Sequence, residues 1–197
     1  TILFMKLYAL SLIVASLLFC SLANGQKIKV KEGDASALKG EKALNIEFTY
    51  DNLGVGKFKN EEEYIAKKRE EYNKKEEGKG DKWAEAWIND RSRAYEPQFL
   101  EQFLEKSNVK NEKSAKYTLI FHTTFIEPGF NVGAWRKSAS INAVVTIVET
   151  ANRNKVVAVI TIDNAPGRDA MGYDFDTSWR ISEAYAKAGK SLAKFIW

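Results

Sequence analysis

Four long runs of the chain alternate apolar and polar residues with a period of two, the pattern of a strand with one buried face. In the first run, residues 43–50, one face carries Leu44, Ile46, Phe48 and Tyr50. The other three runs, rich in β-branched and aromatic residues, are residues 117–126, 140–149 and 156–163. Residues 150–155 are predicted to connect the last two runs as a hairpin, residues 127–137 to form a longer loop, and residues 27–30 to add a short strand.

Between the first long strand and the other three, the apolar spacing is helical. Asn60 precedes three glutamates, and this order predicts a helix start, because asparagine caps a free backbone N–H and the acidic turn faces the positive end of the helix dipole. The helix is predicted to run to about Glu77, and its few apolar residues indicate a solvent-exposed helix. The Gly-Lys-Gly sequence at residues 78–80 is predicted to end it.

Two further helices are predicted before the second long strand. Asp81 is expected to cap the first of them, in which Trp83 and Trp87 lie one turn apart and are assigned to the core rather than to a ligand platform. The other is expected to begin near Pro97, because proline fits the first turn of a helix.

The chain ends in a predicted helix from about Thr177. Its expected buried face consists of Ile181, Ala184, Tyr185, Ala188, Leu192, Phe195 and Ile196. The small residues Ala184, Ala188 and Gly189 predict that this helix closely approaches a sheet.

Strands and helices are largely segregated along the chain, which indicates an α+β layer fold. We expect a mostly antiparallel sheet of about four strands packed against the C-terminal helix, with a helical insertion after the first long strand. The length, together with an aromatic content of 12%, suits one such domain over residues 26–197.

The first 25 residues have the pattern of a secretory signal. Met5 and Lys6 precede an apolar run at residues 7–20, and Ala23 and Gly25 present small side chains for cleavage after Gly25. The pattern predicts an exported protein, periplasmic or extracellular.

Two alternatives for this region remain open. Lipidation of Cys20 would attach the protein to a membrane, such as the outer membrane, although Phe19 stands where a lipidation motif has a small residue. Residues 7–23 are also near the lower length limit for a retained anchor helix. Residues 1–4 precede the first methionine and are interpreted as upstream reading frame.

Charge and cysteine usage exclude several classes of function. The formal net charge of +4 becomes +3 when Lys6 leaves with the signal, which is too small to indicate nucleic-acid binding. Signal cleavage would also remove Cys20, the only cysteine, and with it disulfides, thiol catalysis and cysteine-ligated zinc.

Neither the single histidine nor a partial match to the phosphate-binding loop motif predicts a cofactor. A single histidine, His122, excludes multi-histidine metal sites. It is expected to be a half-buried strand residue bonded to a neighbour, on the same face as Ile120 and Ile126. The sequence Gly-Lys-Ser at residues 189–191 lacks the glycine that a phosphate-binding loop carries five residues earlier, so no nucleotide is predicted.

The loop at residues 127–137 is the most suggestive candidate for a binding site. It places Phe130, Trp135 and Arg136 on a connection between strands. Aromatic and arginine side chains are frequent anchors of binding surfaces, and tryptophan also stacks on sugars. The alternative is that these aromatic side chains fold back onto the end of the sheet.

Aspartates cluster in a second glycine-containing loop. Asp163, Asp169, Asp174 and Asp176 could supply oxygen ligands to calcium or an acid pair for glycoside cleavage. The spacing does not match a calcium-binding helix–loop–helix motif, and a cap on the last helix is the simpler interpretation. No metal site is therefore predicted.

The second half of the chain also carries a family pattern. It consists of Ala-Lys-Tyr-Thr-Leu-Ile-Phe at residues 115–121, strands at residues 141–148 and 155–159, a glycine-containing loop and a helix over residues 181–196. This order resembles the periplasmic module of curli-secretion-channel-like envelope lipoproteins. The chain is also similar to uncharacterised secreted proteins of Bacteroidetes, in which glutamine commonly follows the signal, as Gln26 does here. The resemblance implies an envelope location and no catalytic residue.

These patterns together predict an exported cell-envelope protein that is a non-catalytic binding or assembly module. Its expected partner is an envelope protein, a glycan or a second copy of the chain. The alternative function is a carboxylate-dependent hydrolase of envelope or extracellular glycans, using Asp163, Asp169 or Asp174.

Overall fold

A computed structural model describes residues 25–132, 135–167 and 177–197, and the region predicted to be a signal lies outside these ranges except for Gly25. The strands are β1 (Lys27–Gly33), β2 (Ala43–Thr49), β3 (Gly54–Val55), β4 (Lys110–Asn111), β5 (Tyr117–Glu127), β6 (Phe130–Val132), β7 (Trp135–Lys137), β8 (Ser140–Glu149) and β9 (Asn152–Pro166). The α-helices are α1 (Glu61–Asn73), α2 (Lys79–Asp90), α3 (Glu96–Ser107) and α4 (Thr177–Ile196), with a 3₁₀ turn at Ala35–Leu38 and a π-helical turn at Arg91–Tyr95.

The main sheet has seven strands and mixed pairing. Its order is β1-β9-β8-β5-β2-β4, and β3 also pairs with β5. The pairs β1/β9, β8/β9 and β5/β8 are antiparallel, whereas β2 runs parallel to β5 and β4, and β3 runs parallel to β5. The α+β class is correct, but the expectation of about four mostly antiparallel strands is wrong.

The parallel pairing follows from the helices between β2 and β5. A strand that returns parallel to its neighbour needs a crossover across a face of the sheet, and α1, α2 and α3 provide it. The helical section is therefore the crossover of a β–α–β connection rather than an insertion. Two further strands, β3 and β4, are only two residues long, too short to produce a period-two pattern.

Helices α3 and α4 contribute the helical side of the core. Phe99 of α3 is fully buried, and its ring lies 4.5 Å from that of Phe121 on β5 and 5.4 Å from that of Phe48 on β2 (centroid distances). Gly189 of α4 faces α3 rather than the sheet, because a Cβ atom built on it would lie 2.5 Å from the Phe99 carbonyl oxygen. At Gly189 the close approach is therefore a helix–helix contact, although α4 also contacts β8 and β9 of the sheet.

His122 lies half-buried on β5, with Nδ1 2.8 Å from the Thr49 hydroxyl oxygen, which confirms the expected bond to a neighbour. Ile126 does not share its face, because the pairing of β5 with β8 shifts register between Thr123 and Phe125. This irregularity turns Ile126 into the core, where it is 1% exposed.

The start of α1 confirms the predicted cap. Asn60 accepts a hydrogen bond from the Glu63 backbone N–H at 2.9 Å through its side-chain oxygen, and its amide donates to the Glu63 carboxylate at 3.0 Å. The next helix begins earlier than predicted, at Lys79, with Gly78 in the left-handed conformation before it, so that Asp81 lies in the first turn instead of capping it.

Asn60→Ala is expected to lower the free energy of unfolding by about 1 kcal/mol, because it leaves the Glu63 N–H without its cap. Asn60→Ser, which retains a capping oxygen, is expected to stay within about 0.5 kcal/mol of the wild type. Equilibrium urea unfolding measures both values. Equal losses in the two variants would contradict a role for the cap.

Candidate functional site

The carboxyl end of β2 borders a groove of about 570 Å³. The chain leaves the sheet at Tyr50 and returns as β3, which pairs with β5 further along the same edge. The groove is lined by Phe48, Thr49, Tyr50, Asp51, Asn52, Leu53, Glu61, Glu62 and Arg91. Ligands of sheets with parallel strands commonly bind where those strands end, and this groove occupies such a position.

A buried carboxylate joins the two helical walls of the groove. Glu61, in the first turn of α1, accepts hydrogen bonds from the Trp87 indole Nε1 at 2.7 Å and from the Arg91 guanidinium. Arg91 opens the π-helical turn, and such turns occur frequently at functional sites. Because both Glu61 oxygens accept hydrogen bonds, from Trp87 and Arg91, this residue holds the wall in place.

Tyr50 forms the floor of the same region. The Arg91 guanidinium carbon lies 4.2 Å from the centroid of its ring, and its hydroxyl donates a hydrogen bond to Glu96 at 3.1 Å. Burial, with the neighbouring Tyr185 and Glu96, raises the pKa of Tyr50 far above its ordinary value. The hydroxyl therefore remains a neutral donor, and Tyr50 fixes the position of the π-helical turn against the sheet.

The outer edge of β2 is paired for only part of its length. Glu112 N–H donates to the Leu44 carbonyl at 2.9 Å, and the Ile46 N–H donates to the Asn111 side chain at 3.1 Å. No described strand pairs with this edge beyond Leu44. The backbone N–H and C=O groups of successive residues alternate between the two edges of a strand. The groups that face this unpaired edge are therefore the C=O of Ile46, the N–H and C=O of Phe48, and the N–H of Tyr50.

The rim of the groove is acidic. Asp51 and Glu62 are exposed, and Glu61 is countered by Arg91. The groove therefore combines a stretch of strand edge that no described strand pairs with and two exposed carboxylates, an arrangement that suits binding of an extended, basic segment. The sequence pattern did not reveal this site, since it forms only when the end of β2 meets the start of α1 and the π-helical turn.

The residues predicted as a binding site lie on a hairpin next to this end of the sheet. Strands β6 and β7 pair antiparallel as a separate two-stranded sheet, with Phe130 opposite Lys137 and Asn131 opposite Arg136. Phe130 is 44% exposed and Arg136 is exposed. Trp135 lies in β7, but its side chain is outside the described part of the structure.

Polar contacts made by the buried side chains of Glu127 and Arg180 hold the base of the hairpin. Glu127, 7% exposed, accepts a hydrogen bond from Lys137 Nζ at 2.5 Å and one from the Gly129 N–H at 3.1 Å. Arg180 of α4 donates Nε and Nη2 to the Pro128 carbonyl at 3.2 and 3.1 Å. Gly129 has φ +73°, and a Cβ atom there would lie 2.7 Å from the Lys137 carbonyl oxygen. The hairpin is therefore anchored firmly while Phe130 and Arg136 face solvent.

The predicted aspartate cluster is described only in part. Asp163 is exposed on β9, opposite Lys27 of β1, whereas Asp169, Asp174 and Asp176 lie outside the described residues. Over residues 25–132, 135–167 and 177–197, no group of three or more His, Cys, Asp or Glu side chains is placed to hold a metal ion. Catalysis by these aspartates thus stays a prediction.

Two other sequence features have structural roles. Trp87 is 4% exposed and its ring centroid lies 5.0 Å from that of Tyr64, which confirms its assignment to the core. Gly189 and its Lys-Ser neighbours lie inside α4.

None of the described helices is both long and apolar enough to span a membrane.

Comparisons with known proteins give no family. No family model and no curated protein matches the chain. Among solved structures, the chain is similar to a PelC dodecamer from Paraburkholderia phytofirmans, with 11% identity, a TM-score of 0.36 and coverage of 82% of this chain and 96% of that one. A single-substitution variant of the same PelC gives 11% identity, a TM-score of 0.37 and the same coverage. A Xanthomonas campestris protein described as DUF330 gives 10% identity, a TM-score of 0.40 and coverage of 79% and 83%. These values are too low to transfer a family, a function or an assembly to this chain.

Proposed function

We propose that the protein is an exported, non-catalytic binding module of the cell envelope, and that the hairpin β6–β7 contacts its partner. The observation that carries the proposal is the construction of this hairpin. It is separate from the main sheet, and the Glu127–Lys137 ion pair and the Arg180–Pro128 hydrogen bonds fix its base. A fixed base lowers the entropy that binding would otherwise cost.

The chemistry of the exposed residues supports the same role. Phe130 presents an aromatic ring to solvent, and Arg136 presents a guanidinium from the opposite face of the hairpin, because Phe130 lies across from Lys137 rather than from Arg136. Aromatic and arginine side chains dominate the binding energy of many interfaces, where they fill pockets or stack on planar groups. Trp135 is proposed as the third member of this surface from its place in the sequence. The export pattern of the first 25 residues supports an envelope location for the partner.

The double variant Phe130→Ala/Arg136→Ala is expected to weaken binding to the envelope fraction of the producing cells by at least roughly thirtyfold. Binding is measured by cosedimentation of the labelled full chain with that fraction over a range of concentrations. The melting temperature should stay within about 2 °C of the wild type, because both side chains are exposed.

Val156→Ala is the matched control, because Val156 is also 44% exposed and lies on β9 rather than on the hairpin. It should bind as the wild type does. A photo-crosslinking residue should give an envelope adduct at position 130 and none at position 156. Wild-type affinity in the double variant, or equal adducts at both positions, would refute the role of the hairpin.

A further inference from the structure

One edge of the main sheet is basic, and the free part of β2 at the other edge lies beside exposed carboxylates. Strand β1 forms one edge and pairs only with β9 among the described strands. Within β1, Lys27, Lys29 and Lys31 are exposed and Glu32 is the only acidic residue. At the other edge, the unpaired part of β2 opens into the groove with the exposed carboxylates Asp51 and Glu62.

We infer that the groove along β2 receives strand β1 of a second copy of this chain. The inference goes beyond the proposed function, because it concerns another surface and a second copy of the chain rather than the partner of the hairpin. Main-chain hydrogen bonds would form between β1 and the Ile46, Phe48 and Tyr50 groups at the free edge, as when an extended segment adds to a sheet. The lysines of β1 would then face the acidic rim.

Strand direction is consistent with this contact. Strand β1 is antiparallel to β9, β9 is antiparallel to β8, β8 is antiparallel to β5, and β5 is parallel to β2. Strands β1 and β2 therefore run antiparallel to each other within one sheet. A second copy placed in the same orientation therefore offers its β1 antiparallel to β2, and the sheet continues from copy to copy. The contact joins two different surfaces, so it builds a ring or a filament rather than a two-fold dimer.

Charge also disfavours the other edge contacts. Pairing β1 with β1 would bring the lysines of two copies together, and pairing β2 with β2 would bring acidic rims together. Lysine on an edge strand is a common protection against indiscriminate edge pairing. The acidic rim beside β2 attracts the lysines of β1, so this edge pairing is favoured. Repulsion between like charges disfavours pairing of β1 with β1 and of β2 with β2, which makes the β1–β2 contact specific.

A charge exchange tests the inference. In sedimentation equilibrium of the full chain in detergent at low salt, the wild-type mass should rise above 22.3 kDa with concentration. Lys29→Glu and Glu62→Lys should each weaken association by at least roughly tenfold, because each places like charges in the contact. The double variant K29E/E62K should recover to within roughly threefold of the wild type. Neither side chain has a partner among the described residues, so folding should be unaffected.

Lys187→Glu on α4 and Glu85→Lys on α2 are matched controls, since both residues are exposed and the changes in net charge are the same. Both should associate as the wild type does. A wild type that stays monomeric, single variants equal to their controls, or a double variant that fails to recover would each overturn the inference.

A peptide with the β1 sequence, Lys-Ile-Lys-Val-Lys-Glu-Gly, identifies the occupant of the groove. It should dissociate the assembly, and a version with glutamate in place of the lysines should not. Binding of the peptide to a chain that never self-associates would assign the groove to a strand of another protein and overturn the second-copy inference. The Phe130→Ala/Arg136→Ala variant should still self-associate, so loss of envelope binding and loss of self-association report on the two proposals separately.

Discussion

Phe99→Ala is expected to lower the free energy of unfolding by about 3–5 kcal/mol, as truncation of a buried phenylalanine does. Phe99 is fully buried, and its ring contacts the rings of Phe48 and Phe121 on the sheet and of Phe103 one turn along α3. The substitution opens a cavity between α3 and two strands that pair parallel to each other. Equilibrium urea unfolding, followed by far-ultraviolet circular dichroism, measures the change.

The same substitution at an exposed position is the control. Phe195 lies near the end of α4 and is 41% exposed, so Phe195→Ala removes the same atoms from a site that water already reaches. Its expected loss is below about 1 kcal/mol. If both variants lost the same stability, Phe99 would not be the centre of the helix–sheet contact.

Gly189→Leu is expected to lower the free energy of unfolding by about 3 kcal/mol, at the upper end of the usual cost of overpacking. A Cβ atom at Gly189 would lie 2.5 Å from the Phe99 carbonyl oxygen and 3.3 Å from the Phe103 backbone nitrogen. Both are backbone atoms of α3, so the side chain fits only if α3 and α4 move apart. Thermal and urea unfolding measure the loss.

Lys190→Leu provides the comparison, because it introduces the same side chain at the next, exposed position of α4. Its expected change is within about 0.5 kcal/mol. Gly189→Ala should fall between the two, since the better helix propensity of alanine offsets about 1 kcal/mol of the clash. A Gly189→Leu variant as stable as Lys190→Leu would contradict the close helix contact.

The substitutions Phe99→Ala and Gly189→Leu are also expected to affect the groove. Glu96 opens α3 one turn before Phe99 and accepts the hydrogen bond from Tyr50. The position of α3 on the sheet therefore sets the position of the π-helical turn, with Arg91 and its bond to Glu61. Packing in the core and the shape of the proposed acceptor groove depend on the same helix.

Local signals account for the elements that could be predicted. The cap at Asn60, the helix start near Pro97 and strand β8 each depend on residues that are neighbours in the sequence. Strand β5 shows the limit of such signals. The period-two pattern placed Ile126 on the face of His122, but one register shift turns it to the opposite face.

The candidate sites divide in the same way. Phe130 and Arg136 could be predicted as binding residues because the sequence shows a connection between strands that carries aromatic and arginine side chains. The sequence did not show that this connection forms an anchored hairpin. The groove was not visible, because Tyr50, Glu61 and Arg91 come from three separate segments. No local sequence pattern predicts that these three residues lie close together in the fold.

The sequence by itself determined that four helices and the longer strands exist, roughly where they lie along the chain, and that the fold is α+β. The tertiary structure decided that β2 pairs parallel to β5, that no described strand pairs with the outer edge of β2 beyond Leu44, and that an acidic groove forms there. The physical reason is that periodicity reports which side of an element is buried, whereas its neighbour and direction depend on the path of the chain through the crossover helices.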